Sequence, residues 1–115
     1  MADSTLFTAA AGIRTAQTRL NISAHNIANA TTRNYRKQDV IAESHINGVE
    51  SRIRETTAPG TPEFDPVSHR FFERSNVDIA EERVSQIEAL AAAKANGNSV
   101  RTADEMLGTV VDLKR

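Results

Sequence analysis

Apolar positions recur with helical spacing towards both ends of this chain and with strand spacing between them. In the first stretch Leu6, Ile13, Leu20 and Ile27 repeat every seven residues, with Ala9, Ala10, Ala16 and Ala24 between them. A heptad with small residues at the intermediate positions predicts a helix whose seam a second helix can approach closely. Arg14, Gln17, Thr18, Arg19 and Asn21 lie off that seam, and no proline interrupts it. The helix is expected over residues 4–30, capped by Asp3 or Ser4 through a short side-chain oxygen. The run Asn29 to Asn34 should end it. Thr and Asn side chains compete for backbone hydrogen bonds, and Asn34 accepts the left-handed conformation that closes a helix.

The second helical pattern covers residues 75–114. Ser75 and Asp78 match the S-x-x-D form of a capping box. Asp78, Glu81 and Glu82 put negative charge at the helix start, and Lys114 and Arg115 put positive charge at its end. Val84, Ile87, Ala91 and Ala95 lie along one face. Ala103, Met106 and Val110 continue the stripe after a rotation at Asn96-Gly97-Asn98. Glycine costs about 1 kcal/mol in a helix interior, so a kink, a stutter or a local break is expected there. One long helix is preferred over two joined by a turn at 96–100.

Between the helices the period changes. Val40-Ile41, Ile46 and the Val49/Ser51/Ile53 alternation predict short strands, with Asn47-Gly48 as the hairpin turn. Pro59, Pro62 and Pro66, with Gly60, mark 56–68 as a loop. Phe64, Phe71 and Phe72 are expected to pin this arm to an apolar surface. The fold class is therefore mainly α: long terminal helices pairing as a coiled-coil hairpin, with a short β-hairpin and loop arm between them. Three segments follow: 1–34, the first helix; 35–74, the extended, hairpin and Pro-rich arm; and 75–115, the second helix.

Composition narrows the function. The chain has 115 residues, 39% of them hydrophobic but only 4% aromatic. Alanine supplies much of the apolar fraction and buries little area per residue, so many apolar positions need a partner for full burial. The formal net charge is −1 with both signs interleaved, which is no footprint for nucleic acid. There is no cysteine, and His25, His45 and His69 lack the spacing of a helical zinc site. Glu81 and Glu82 are adjacent on a helix and point about 100° apart, so they do not converge as an acid and base. No phosphate-binding glycine loop or nucleophile elbow is present. Neither an enzyme, a cofactor, a metal site nor a small-molecule substrate is expected. No stretch reaches the roughly 18 apolar residues of a membrane helix, and no cleaved signal peptide is expected.

The two end segments carry a family resemblance. Gly12 to Lys37, GIRTAQTRLNISAHNIANATTRNYRK, resembles the N-terminal signature of bacterial flagellar axial proteins, the basal-body rod, hook and hook-associated subunits. The matching positions are His25, Asn26, Ile27, Ala28, Asn29, Thr32, Tyr35 and Arg36. Ser75 to Arg115 resembles the C-terminal helix of the same family through Ser75, Asn76, Val77, Asp78, Glu82, Ile87, Asn96 and the run Thr102 to Leu107. Two departures stand out. Arg33-Asn34 replaces the family's Pro-Gly, and the middle is too short for a large outer domain.

The resemblance implies a short rod-like structural subunit of the flagellar basal body, in the periplasmic rod. It would be exported without a cleaved signal by the flagellar type III apparatus, and would assemble with itself and with other rod and hook subunits through its terminal helices. The expected assembly interface is Leu6, Ile13, Leu20, Asn26, Ile27 and Asn29 on the first helix. Ile87, Ala91, Met106, Leu107 and Val110 are its counterparts on the second. Asn26 and Asn29 are expected to bond backbone across helices or subunits. The competing reading is a cytosolic helix-binding export chaperone or regulator related to rod proteins.

Overall fold

A computed structural model of the chain describes residues 2–46 and 48–113, without the side chains of Ala2 and Asp3. Two helices enclose two hairpins: α1 (Ala2–Ala28), β1 (Gln38–His45), β2 (Gly48–Glu55), β3 (Pro62–Asp65), β4 (Arg70–Glu73) and α2 (Ile79–Leu113). The expected roles of the Asp3 side chain, Asn47, Lys114 and Arg115 lie outside the described residues. The molecule is a rod, 79 Å long and 23 × 15 Å across.

The helices pack antiparallel. Ser23 and Asn26, late in α1, bond Glu82, early in α2. Gly12 lies against Asn96, and Thr5 shares a groove with Ala103 and Met106. The buried residues of α1 are Ala9, Ala11, Thr15, Ala16, Ser23 and Asn26. Those of α2 are Glu82, Ala89 and Ala103. Small side chains therefore line the seam, and the larger Leu6, Ile13, Leu20 and Ile27 are only half-buried. A Cβ on Gly12 would collide with the Asn96 amide, so the missing side chain is what lets α2 come this close.

Helix α1 begins at Ala2, which puts Ser4 inside the first turn rather than at the cap. It ends at Ala28, next to the expected Asn29 to Asn34 run, and Asn34 takes the left-handed conformation, φ 58°, in the turn that follows. Helix α2 is continuous through Asn96-Gly97-Asn98. No non-local atom lies within 4 Å of a Cβ built on Gly97, so the residue faces open space while its neighbour Asn96 packs on α1. Pairing along α1 on both sides of this point outweighs the local cost of glycine.

The cap of α2 is Asp78 rather than Ser75. Its Oδ1 accepts from the N–H groups of Ala80, 2.9 Å, and Glu81, 3.4 Å. Those are the second and third helical residues, which have no intrahelical partner. The Ser75 hydroxyl reaches only the Val77 N–H, at 3.4 Å. Asp78→Ala should lower thermal stability by about 1 kcal/mol, and Ser75→Ala by less, as read from urea unfolding followed by circular dichroism.

Strands β1 and β2 pair antiparallel from Gln38↔Glu55 to His45↔Gly48. Gly48, expected in the turn, is the first residue of β2. Gly48 has φ 122°, and a Cβ there would lie 2.8 Å from the Ala11 Cβ. Only glycine lets this end of the hairpin lie on α1.

The second hairpin corrects the expected loop over 56–68. Strand β3 pairs with β4 from Pro62↔Glu73 to Asp65↔Arg70. Pro62 occupies the first strand position, where a proline is tolerated in a ladder. Phe64 and Phe71 face each other across the strands, with ring centroids 5.3 Å apart and planes at 62°. Phe71 remains 74% exposed, so the pair stabilises the hairpin without pinning it to a core. Phe72 lies under the Arg33 guanidinium at 4.0 Å.

Asp65 organises the turn of this hairpin. It accepts from the Val67 N–H at 2.9 Å, the Ser68 hydroxyl at 3.0 Å and the Arg33 guanidinium at 3.0 Å. The Val67 N–H, then Arg33 and Ser68, hold its carboxyl at about 2, below the ordinary 3.8. A carboxylate with a depressed folded value stabilises the fold above its unfolded pKa and loses that contribution as pH falls through the folded one. Hairpin order should therefore be constant above about pH 4 and fall towards about pH 2. The Val67 and Ser68 amide resonances report it, and Asp65→Asn should flatten the profile.

Candidate assembly site

Asn26 is the most enclosed polar side chain described, 1% exposed. Its Nδ2 donates to the Gln38 carbonyl at 2.8 Å and to Glu82 Oε1 at 3.1 Å. Its Oδ1 accepts from the Tyr35 hydroxyl at 2.8 Å and the Gln38 N–H at 2.9 Å. A primary amide has two donors and two lone pairs, and all are used. By bonding both backbone groups of Gln38, the side chain acts as the neighbour that β1 lacks at its start. By bonding Glu82, it ties α1 to α2.

The surroundings are equally saturated. The Ser23 hydroxyl donates to the Glu82 carbonyl at 2.8 Å. Burial, followed by the negative charges of Glu82 and Glu55, pushes the Tyr35 phenol above its usual value and keeps it a donor. No buried side-chain nitrogen or oxygen among the described residues lacks a partner. Such a layer joins the two helices and the start of β1.

Two further asparagines serve neighbouring segments. Asn76 accepts from the Lys37 N–H at 2.7 Å and donates to the Ala58 carbonyl at 3.0 Å. Asn34 accepts from the Glu73 N–H through its side chain at 3.0 Å, while its own N–H donates to the Glu73 carbonyl at 2.8 Å. Ion pairs Lys37–Glu81 and Arg36–Glu73, both 3.3 Å, flank this junction. The end of α1, the arm and the start of α2 therefore meet at one joint.

The expected interface residues divide into three groups. Asn26 bonds the Glu82 side chain on the opposite helix and both backbone groups of Gln38 on β1, but no helix backbone across the seam. The Asn29 side chain reaches neither element. Its Nδ2 donates to the His25 carbonyl at 2.9 Å and its Oδ1 accepts from Thr32, so it closes its own helix. Leu6, Ile13, Leu20 and Ile27 are half-buried. Ile87 (68%), Met106 (63%), Val110 (52%) and Ala91 are exposed, and Leu107 lies at the margin of exposure. Within one chain these α2 residues are not the ones buried against α1. Ser23, Glu82 and Asn96 at the joint and seam were not expected as interface residues. The signal for them was present, because Ala9, Ala16 and Ser23, and Glu82, Ala89, Asn96 and Ala103, also recur at seven-residue spacing.

The exposed large apolar residues of α2 fall in two sets, Ile79, Val84, Ile87 and Leu90 in its first part and a second set near its end. Met106, Val110, Val111 and Leu113 are all at least half-exposed. Ala103, Met106, Leu107 and Val110 line an open, mainly apolar groove of about 620 Å³ with Thr5 of α1.

Comparison with known proteins bears directly on this arrangement. Residues 69–113, which contain β4 and all of α2, match the sequence model of the flagellar basal body rod FlgEFG protein C-terminal region. The flagellar hook protein FlgE of Rhizobium meliloti (strain 1021) is 38% identical over 71 residues, 62% of this chain and 18% of the relative. Over these stretches the chain is similar to flagellar rod and hook proteins. The flagellar basal-body rod protein FlgG of Borreliella burgdorferi is 40% identical over 57 residues, 50% of this chain and 22% of the relative. The chain spans about a fifth of the length of either relative.

Proposed function

We propose that the chain is a structural subunit of the flagellar basal-body rod, with no catalytic role. It assembles with itself and with other rod and hook subunits through its terminal helices, which pair as a coiled coil. The observation that carries this reading is the division of labour on α2. Small and polar residues at heptad spacing are spent on α1, while Ile87, Met106 and Val110 stay exposed on a helix that is already paired. Large apolar side chains left on a paired helix mark an interaction surface. A contact that does not close on itself builds a tube or filament. Export through the flagellar type III apparatus to the periplasmic rod, without a cleaved signal, belongs to the same proposal.

Mass spectrometry of purified hook–basal bodies from the source bacterium tests it. The chain should be present there and should be lost when flagellar export is disabled. Its absence from the basal body, with the protein retained in the cytoplasm, would overturn the proposal in favour of a helix-binding export chaperone or regulator.

A further inference from the structure

Most of the α1–α2 seam does not specify its own register. Ala9 and Ala16 are buried on one helix, and Ala89 and Ala103 on the other. Ala9 and Ala16 sit seven residues apart, so Ala89 meets an alanine both in place and after a slide of one heptad. We infer that Ser23, Asn26 and Glu82, together with Asn96 seated on Gly12, form a two-point register lock that fixes how the helices slide and, through Gln38, where the β1–β2 arm docks.

Each direction of slip meets one of the two points. Moving α2 one heptad towards the start of α1 sets Ala89 on Gly12, which is sterically harmless. It also takes Glu82 from Asn26 and Ser23 to the level of Arg19 and Ala16, which leaves the buried Asn26 amide and Ser23 hydroxyl each short of an acceptor. Moving α2 the other way takes Asn96 off Gly12 to the level of Arg19, whose side chain stands where Gly12 leaves open space. That slip also presents Ala89 to Asn26, which loses an acceptor. A single buried polar layer is known to set helix register in this manner. Here the same amide also holds both backbone groups of Gln38, so helix register and arm position are set by one side chain.

The absence of native cysteine makes the test direct. Ala16 and Ala89 line one small cavity, so the pair Ala16→Cys/Ala89→Cys reports the native register. The pair Ala9→Cys/Ala89→Cys reports the slipped one. In the otherwise native chain, air oxidation should cross-link the first pair at least tenfold faster than the second. Adding Asn26→Ala and Glu82→Ala should reduce that preference to less than threefold. An unchanged tenfold preference would overturn the lock. Should the doubly substituted chain lose its helical signal, Glu82→Ala alone carries the same comparison, because Asn26 then keeps its bonds to Gln38 and Tyr35. An undiminished preference in that chain would equally refute it.

Discussion

Asn26→Ala should lower the stability of the isolated chain by about 3–5 kcal/mol, measured by urea unfolding followed at the helical circular dichroism band. The substitution removes four hydrogen bonds from a side chain that is 1% exposed. It leaves the Tyr35 hydroxyl, the Gln38 backbone groups and the Glu82 carboxylate each short of a partner. Each buried group left unsatisfied costs about 1–3 kcal/mol, more when it is charged. Domain stabilities are only about 5–15 kcal/mol in total, so such a loss consumes a large share. Ser23→Ala removes a single hydroxyl donor and should cost about 1 kcal/mol. Asn29→Ala should cost no more, because its amide bonds only its own helix end. A loss below about 1 kcal/mol for Asn26→Ala, within the range of one ordinary hydrogen bond, would show that water replaces its bonds and that the joint is not closed.

Asn26→Asp sharpens the test, because it keeps the shape and changes the charge. The new carboxylate faces Glu82 and the Gln38 carbonyl, where the amide had donated to both. Two carboxylates at this distance cannot both ionise freely, so the pair takes up a proton at higher pH than either would alone. The folded value of the pair is raised, and the destabilisation should therefore be largest at neutral pH and shrink as pH falls through that range.

The legible part of this fold was the part dictated by local spacing. A heptad at the start and a helical stripe at the end predicted the two helices, and Asn34 was expected in the left-handed conformation it takes in the turn after α1. Alternation around Val49 predicted the first hairpin. The second hairpin was hidden because three prolines within eight residues read as a breaker. Only its register shows Pro62 at a first strand position and Phe64 opposite Phe71. The seam was misplaced for a physical reason. Large apolar side chains carry the strongest periodic signal, but close packing of two helices selects the smallest ones. Ala9, Gly12 and Ala16 against Ala89 and Asn96 gave a second heptad that hydrophobicity alone ranks low. Asn26 was legible as a cross-element bonding residue. Its partner Glu82 was read only as a helix-start charge, because a buried carboxylate is intelligible only once the amide beside it is located.

The larger apolar side chains, displaced from the internal seam, should be needed for assembly and dispensable for folding. Met106→Glu/Val110→Glu should leave the unfolding midpoint of the isolated chain nearly unchanged. Both positions are more than half exposed, glutamate is at least as good a helix former as valine, and surface substitutions of this kind stay within about 0.5 kcal/mol. In the assembled state the same two carboxylates would be covered by a neighbouring subunit. Burying an unpaired charge costs about 3–5 kcal/mol, and every 1.4 kcal/mol is about tenfold in an equilibrium. Incorporation into hook–basal bodies should therefore fall by at least about a hundredfold, measured by quantitative mass spectrometry of basal bodies from cells expressing the variant in place of the native chain. Ala16→Glu should do the reverse, abolishing the fold itself, because its side chain is 2% exposed on the seam. Wild-type incorporation of Met106→Glu/Val110→Glu would remove this end of α2 from the interface and leave the half-buried Leu6, Ile13 and Leu20 of α1 as the surface that neighbours must read.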